Sequence, residues 1–235
     1  MPIQALTPRR IYRQIAEQLR GLIRAGEFAV GTRLPPERDL ALQLGVSRPS
    51  VREAVIALEV EGLVEVRTGS GIYVVALEPA ATAPRVDGLF GPFEIIRARQ
   101  LVEGELAALA ATQMHAAQVA GLHEAMAWME ADVGRGVAPI RGDRLFHLHL
   151  AAAADNAPLL RTVTELFDER NNPLFALLGQ HFESIPVWRL AILEHQAVIS
   201  AIVAGDASAA RAAMRCHLQS SHDRFAGTWP LPAAG

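Results

Sequence analysis

The stretch GTRLPPERDLALQLGVSRPSVREAVIALEVEGLVEVRTGSGIYVV at residues 31–75 spells two short amphipathic helices and a hairpin in close succession. Pro36 suits the first turn of the first helix, where a missing N–H is no loss, and Leu40, Leu42 and Leu44 follow a polar Glu37-Arg38-Asp39 start. Gly45 allows the chain to reverse, and Ser47 is a natural N-cap for a second helix with Pro49 in its first turn. Val51, Ala54, Val55 and Leu58 form a stripe that can pack on the first helix, leaving Arg48, Ser50 and Arg52 near the exposed N-terminal end. Residues 64–67 and 72–75 then read as a strand pair joined at Thr68-Gly69-Ser70-Gly71. Two helices around a tight glycine turn, with arginines at the start of the second, are the parts of a helix-turn-helix that enters a major groove. The hairpin adds a wing.

The run from Ile11 to Val75 resembles the DNA-binding domain of the GntR transcription regulators. The resemblance rests on the leading helix IYRQIAEQLRGLIRAGEF, on G-x-x-L-P-P-E-R-D-L-A at Gly31–Ala41, on G-V-S-R-P-S-V-R-E-A at Gly45–Ala54, and on L-x-x-x-G-L-V at Leu58–Val64. It implies that Arg38, Arg48 and Arg52 contact DNA, with Ser47, Ser50 and Gly69 approaching phosphate or the minor groove. The chemistry agrees, because a guanidinium reads guanine edges as a fork and glycine permits close backbone approach.

The 235-residue chain has room for two domains, and its 51% hydrophobic content is ample for packed cores. Its formal charge of −3 rules out DNA binding by global basicity. Residues 1–75 carry ten arginines against eight acids, whereas the rest carries twelve against seventeen, so a weakly cationic head sits on an acidic body. There is no lysine, which we read as compositional bias. A single cysteine, Cys216, excludes an internal disulfide and fits a reducing cytoplasm. No signal sequence follows Met1, and the long uncharged stretch Leu106–Leu122 holds Thr112, Gln113, His115 and Gln118, so a membrane partner is not expected.

Residues 76–92 are rich in Ala, Pro and Gly without periodicity and read as a linker. From Phe93 onward helical periodicity takes over, with helices expected at about 93–114, 116–133, 138–154, 157–181, 185–204 and 207–225. The expected fold is therefore mostly α: a winged helix-turn-helix over 1–75, a linker over 76–92, an all-α antiparallel six-helix bundle over 93–226, and a flexible tail over 227–235. Bundle interiors are where such folds build metal and ligand sites.

Three helices each bring metal-competent side chains to that interior. Asp143 and His147 stand four apart and share a helix face with Ile140, Leu150, Ala151 and Ala154. His195 lies on the stripe Trp188, Ile192, Ile199, Ile202, and His217 follows Ala210 and Met214. A lone buried histidine is ordinarily structural, but three histidines and a carboxylate converging without a metal would leave several buried polar groups to pair. Spacing alone does not establish that the helices converge.

Residues 93–225 resemble the all-helical FCD effector domain of the FadR branch of the same family. The matching strings are D-R-L-F-H at Asp143–His147, E-H-Q-A-V-I-S-A-I at Glu194–Ile202, G-D-A-S-A-A-R-A-A-M at Gly205–Met214, and His217-Leu218. The resemblance implies that Asp143, His147, His195 and His217 hold one divalent metal, zinc first, with nickel, iron or manganese also suited to such donors. His115, His123, His149, His181 and His222 fall outside that pattern and are expected at the surface. The implied effector is a small carboxylic or sugar acid, and Arg99 could clamp its carboxylate or simply pair with Glu103 one turn on. The segment Asp168–Phe182 looks most like the hexuronate-responsive regulators, although sugar-acid, lactate and dicarboxylate sensors share the scaffold.

The expectation is thus a ligand-responsive repressor that binds a short inverted repeat as a homodimer. A metalloenzyme with an accessory DNA-binding head is the alternative. It lacks the Glu-x-x-His or His-Glu-x-x-His spacing of di-iron bundles and zincins, a phosphate-cradling loop, and a nucleophile beside a base. An architectural DNA-binding protein would leave the four candidate ligands unexplained.

Overall fold

Apolar residues at helical spacing set the first element. Helix α1 (Ile11–Arg24) buries Tyr12, Ile15, Ala16, Leu19 and Ile23 on one stripe. The computed structural model describes residues 10–86 and 88–227. Helix α2 (Glu37–Leu44) starts one residue later than expected, because Pro36 sits in extended conformation at the cap position. Gly45 ends it in the left-handed region at φ 66, where a side chain would be strained. Ser47 then caps helix α3 (Arg48–Val60) by accepting the Ser50 N–H at 3.3 Å. Strands β1 (Val64–Arg67) and β2 (Gly71–Val74) pair antiparallel with Val64 opposite Val74 and Val66 opposite Ile72, all four turned inward. Residues 31–34 line the other edge of β2, with Gly31 N–H donating to the Val74 carbonyl and Leu34 N–H to that of Ile72, both at 2.8 Å.

The segment expected as a linker is docked against the head. Val86 is buried, Ala80 N–H donates to the Glu61 carbonyl, and the Leu89 carbonyl accepts from the Tyr12 hydroxyl at 2.9 Å. The Ala/Pro/Gly composition correctly indicates irregular backbone, yet its carbonyls are acceptors that α1 can use.

Beyond it come α4 (Pro92–Gln113), α5 (Ala116–Gly134), α6 (Ile140–Ala152), α7 (Ala157–Asp168), α8 (Pro173–Phe182), α9 (Ile185–Val203) and α10 (Ala207–Ala226). The expected helix at 157–181 is two helices separated by a 3₁₀ turn at Glu169–Asn171, so the bundle has seven α-helices among the described residues. Pro173 cannot donate to the preceding turn, and the Asn172 side chain caps α8 by accepting the Phe175 N–H at 2.9 Å. Among the tail residues 227–235, only Gly227 lies within the described residues.

Helix α10 packs along α4 and α9, and α6 lies on α5. Gly142 permits that last contact: a Cβ there would stand 2.7 Å from Met129 Cγ and 2.9 Å from the Ala125 carbonyl. One apolar core runs through both halves, from Ile56 and Leu58 to Phe146, Val198 and Met214. The head docks through α3, which meets α8 and the ends of α4 and α10. Glu53 on α3 accepts the Phe93 N–H at 2.9 Å, capping the start of α4. His181 on α8 reaches Glu59 at 2.9 Å, so it belongs to this contact and not to the free surface where it was expected. No helix among the described residues is long and apolar enough to cross a membrane.

Candidate metal centre and nucleic-acid interface

The turn and the wing bring a set of cations to one side of the head. Arg38, Ser47, Arg48 and Gly69 are exposed, and Ser50 is half-buried behind them, its hydroxyl 2.9 Å from that of Ser47. Arg38, Arg48, Gly69 and two arginines that the sequence reading passed over, Arg33 and Arg67, line a cleft of about 250 Å³ between the start of α3 and the wing. Arg67 stacks 4.5 Å over the Tyr73 ring. Arginines converging on a groove between a recognition helix and a glycine-tipped hairpin suit the phosphates and base edges of duplex DNA.

Arg52 is elsewhere. It was expected to meet base edges, but only 1% of it is exposed. Its Nε donates to Glu37 Oε1 at 2.8 Å and its Nη2 to Glu37 Oε2, while Nη1 donates to the carbonyls of Phe225 and Gly227 at the C-terminal end of α10. The Phe182 ring lies 4.9 Å from its guanidinium carbon. The correction has a simple cause. Position 52 shares a helix face with the buried Val55 and Ile56, three and four residues on, so the side chain turns toward α2 and the helical body.

In the body, Asp143, His147, His195 and His217 are all buried, and one donor atom from each lies within 4.8 Å of the others. His195 Nε2 stands 3.2 Å from Asp143 Oδ1 and 3.3 Å from His147 Nε2, and His147 Nε2 is 3.6 Å from Asp143 Oδ1. The other ring nitrogens are all engaged. His147 Nδ1 is in direct contact with Glu103, His195 Nδ1 donates to the Ala191 carbonyl at 2.7 Å, and His217 Nδ1 meets Glu194 at 2.9 Å. Outer hydrogen bonds of this kind fix a histidine's tautomer and free the facing nitrogen for a cation. The set fits a divalent metal, since three imidazoles and a carboxylate are ordinary ligands for zinc and its neighbours.

The electrostatics are consistent with that fit. Burial pushes Asp143 upward, but the imidazoles of His147 and His195 outweigh it and hold the carboxyl well below its usual range. Burial, reinforced by the neighbouring His195, pushes His217 down to about 3, leaving it neutral at ordinary pH. Burial also presses His147 downward, but Glu103 more than offsets it and the net shift is up, so a metal must compete with a proton there. Glu103 and Glu194 are each held at about 2 despite burial, the first by Arg99 and His147, the second by His217 and Arg224.

Two arginines therefore reach the cluster through a glutamate: Arg99 Nε donates to Glu103 Oε1 at 2.7 Å, and Arg224 Nη1 to Glu194 Oε1 at 2.7 Å. The alternatives for Arg99, internal pairing or a free clamp, turn out not to exclude each other. Its Nε is paired, while its Nη2 is buried with no hydrogen-bond partner among the described residues. Arg99, Arg170, Arg224, Asp143, His217 and Trp188 all line a small inner cavity beside the cluster. Sequence reasoning missed Glu194, Arg170, Arg224 and Trp188 as site residues. Glu194 adjoins His195, and Arg224 lies seven residues after His217 on one face of α10, so helical spacing could have found the latter.

Comparison with known proteins gives consistent matches. Residues 11–74 match the family described as "Bacterial regulatory proteins, gntR family", and residues 94–220 match the FCD domain. The chain is 39% identical over 222 residues to the "Exu regulon transcriptional regulator" of Escherichia coli (strain K12), covering 91% of this chain and 84% of that protein. It is 34% identical over 228 residues to that organism's "Uxu operon transcriptional regulator", covering 94% and 89%. It is 35% identical over 213 residues to the "Uxu operon regulator" of Haemophilus influenzae, covering 90% and 80%. Among solved structures, E. coli McbR/YncC superposes with a TM-score of 0.51 at 22% identity, over 93% of this chain and 98% of that one, which is a likeness of fold.

Proposed function

This chain belongs to the GntR family of bacterial transcriptional regulators, in the group with an FCD domain, and from that premise we propose that it is a metal-dependent repressor released from its operator by a hexuronate or related sugar acid. Such regulators are DNA-binding, ligand-responsive proteins and not enzymes. The observation that carries the reading is the buried set Asp143, His147, His195 and His217, each imidazole held from behind by an acceptor. A bound divalent ion, zinc first, would supply a Lewis-acidic, cationic point at one end of the inner cavity. With the ion present, Arg99, Arg170 and Arg224 make that cavity strongly electropositive, which suits an acid. The names of the relatives, which refer to the Exu and Uxu systems, support the hexuronate class.

On the DNA side, Arg38 and Arg48 would read base edges, with Ser47, Ser50 and Gly69 against the backbone. A single head buries too little to bind tightly, so a homodimer on a short inverted repeat is the working unit. The effector must favour one head spacing over another, since equal affinity shifts nothing. A tenfold loss of operator affinity needs only about 1.4 kcal/mol of coupling.

Elemental analysis followed by calorimetric titration with glucuronate, galacturonate, lactate and citrate, with and without a chelator, tests the reading. We expect about one metal per chain and metal-dependent uronate binding that weakens a mobility shift on operator DNA. Binding that survives complete metal removal would overturn the metal-centred reading. Binding of lactate or citrate alone would overturn the hexuronate reading.

A further inference from the structure

Residues 89–91 lead the chain into α4, and three elements grip them at successive positions. The Leu89 carbonyl accepts from α1, at 2.9 Å from Arg10 Nη1, 2.9 Å from the Tyr12 hydroxyl and 3.3 Å from Arg13 Nη2. The Phe90 carbonyl accepts from the helical body, at 3.2 Å from Asn172 Nδ2. Gly91 lies flush against the Glu53 carboxylate of α3, which leaves no room for a side chain there. Of two neighbouring carbonyls, one is thus held by the DNA-binding head and the next by the body.

Asn172 is buried, and the two ends of its amide have separate tasks. Its Oδ1 accepts the Phe175 N–H at 2.9 Å and caps α8. Its Nδ2 donates to Phe90 and, at 3.0 Å, to Glu169 Oε2. Asn172 closes the 3₁₀ turn at Glu169–Asn171, and that turn also bears Arg170. Arg170 Nη2 pairs with Glu183 at 2.6 Å, and its Nη1 lies 3.9 Å from Asp143 Oδ2. Asp143 is one of the four candidate ligands, so an ion bound there and Arg170 draw on the same carboxylate. Two residues beyond Arg170 stands the donor that holds the linker.

A second path from the cluster to the head runs along α10, which bears His217 and whose C-terminal end receives Arg52. Magnitudes favour the turn. Allosteric coupling ordinarily amounts to about 5–150-fold. A neutral hydrogen bond is worth about two- to tenfold in an equilibrium, so making or losing one gives a change of suitable size. Breaking the buried Arg52 contact forfeits about a hundredfold or more, which suits a permanent weld.

We propose that Asn172 is the positioning residue that conveys metal occupancy of the bundle to the DNA-binding head, through its bond to the Phe90 carbonyl. The proposal rests on the metal-site reading above and is independent of which acid the protein senses. An ion at Asp143 alters the hold of that carboxylate on Arg170, and with it the seat of the turn. Asn172 passes the change to Phe90, and the adjoining Leu89 carbonyl passes it to the start of α1.

The test compares the full chain loaded with Zn²⁺ and stripped by a chelator, each titrated by fluorescence anisotropy onto an inverted-repeat duplex selected from a random-sequence pool. In the wild type, zinc should tighten duplex binding by about fivefold or more. Asn172→Ser and Asn172→Asp both keep an oxygen that caps α8 as well as Asn does, and both delete the donor to Phe90. In each, the zinc-loaded and stripped forms should bind the duplex within about twofold of one another, with zinc content unchanged. Should one variant fail to fold, the other still decides. Glu169→Gln leaves the Phe90 bond in place and should retain the wild-type zinc effect; its loss there would assign the effect to Glu169 and overturn the proposal. A purely structural Asn172 would lower the melting temperature and leave the zinc effect intact, which also overturns it and points to α10. If the wild type holds zinc but binds the duplex equally with and without it, this inference falls and the metal-site reading stands. If the wild type takes up no zinc, both fall.

Discussion

Replacing Arg52 by Ala separates a base-reading arginine from a structural one. In the folded chain the Arg52 and Glu37 side chains are 1% and 5% exposed, so the substitution strands a carboxylate inside the protein. It also removes the donor shared by the Phe225 and Gly227 carbonyls. Breaking a buried pair from one side costs about 3–5 kcal/mol, because the remaining charge is uncompensated. At ~2–4 °C per kcal/mol for a chain of this size, the melting temperature should fall by roughly 6–20 °C in scanning calorimetry. Adding Glu37→Gln removes the stranded charge and should recover part of that loss, the signature of direct coupling in a double-mutant cycle. A melting temperature within ~2 °C of wild type, together with lost operator binding, would refute the reasoning and return Arg52 to the DNA surface.

Glu53 gives a pH test. Burial raises its carboxyl from 4.5 to about 7, against the opposing Phe93 N–H. The folded state therefore holds a proton that the unfolded chain releases above 4.5, so stability falls as pH rises from about 4.5 to 7 and then levels off. Glu53→Gln keeps an acceptor for Phe93 and should abolish that fall, raising stability at pH 8 by up to about 3 kcal/mol relative to wild type. Thermal melts at pH 5 and pH 8 that change in parallel for both proteins would contradict it. Glu194→Gln should weaken metal affinity by about 10–100-fold, because Glu194 orients His217 from behind. Competition with a chelator of known affinity reads that change, and an unaltered affinity would show that Glu194 serves only Arg224.

Much of this arrangement was legible in the chain, for identifiable reasons. Gly45, Ser47 and Pro49 act within a few residues of themselves, so their roles in the turn follow from local chemistry. Asp143 and His147 share a helix face by spacing alone, and the family resemblance supplied His195 and His217 as their partners. The break at Asn172-Pro173 was legible in principle, since proline after asparagine is a cap signal, but the long apolar periodicity on either side masked it. Arg52 was not legible. An arginine early in a recognition helix reads as solvent-exposed unless one knows that the end of α10 comes to rest against it. Trp188 presents the same difficulty: its stripe position shows that it is buried, but only the packed cavity shows that its N–H has no acceptor among the described residues.

The Arg52 contact also sets an order of events during synthesis. Its carbonyl acceptors at Phe225 and Gly227 lie 173 and 175 residues downstream. At ~5–20 residues per second a ribosome needs roughly 10–35 s to deliver them. For that interval the head has α1, α2, α3 and the wing but not the seat that takes Arg52 into the body. A nascent or prematurely ended chain would therefore carry a complete helix-turn-helix in which Arg52 still has Glu37 beside it but its Nη1 lacks the Phe225 and Gly227 carbonyls. Fragments of this regulator and the whole regulator should be treated as different DNA ligands, and isolated heads are poor proxies for the affinity of the intact chain.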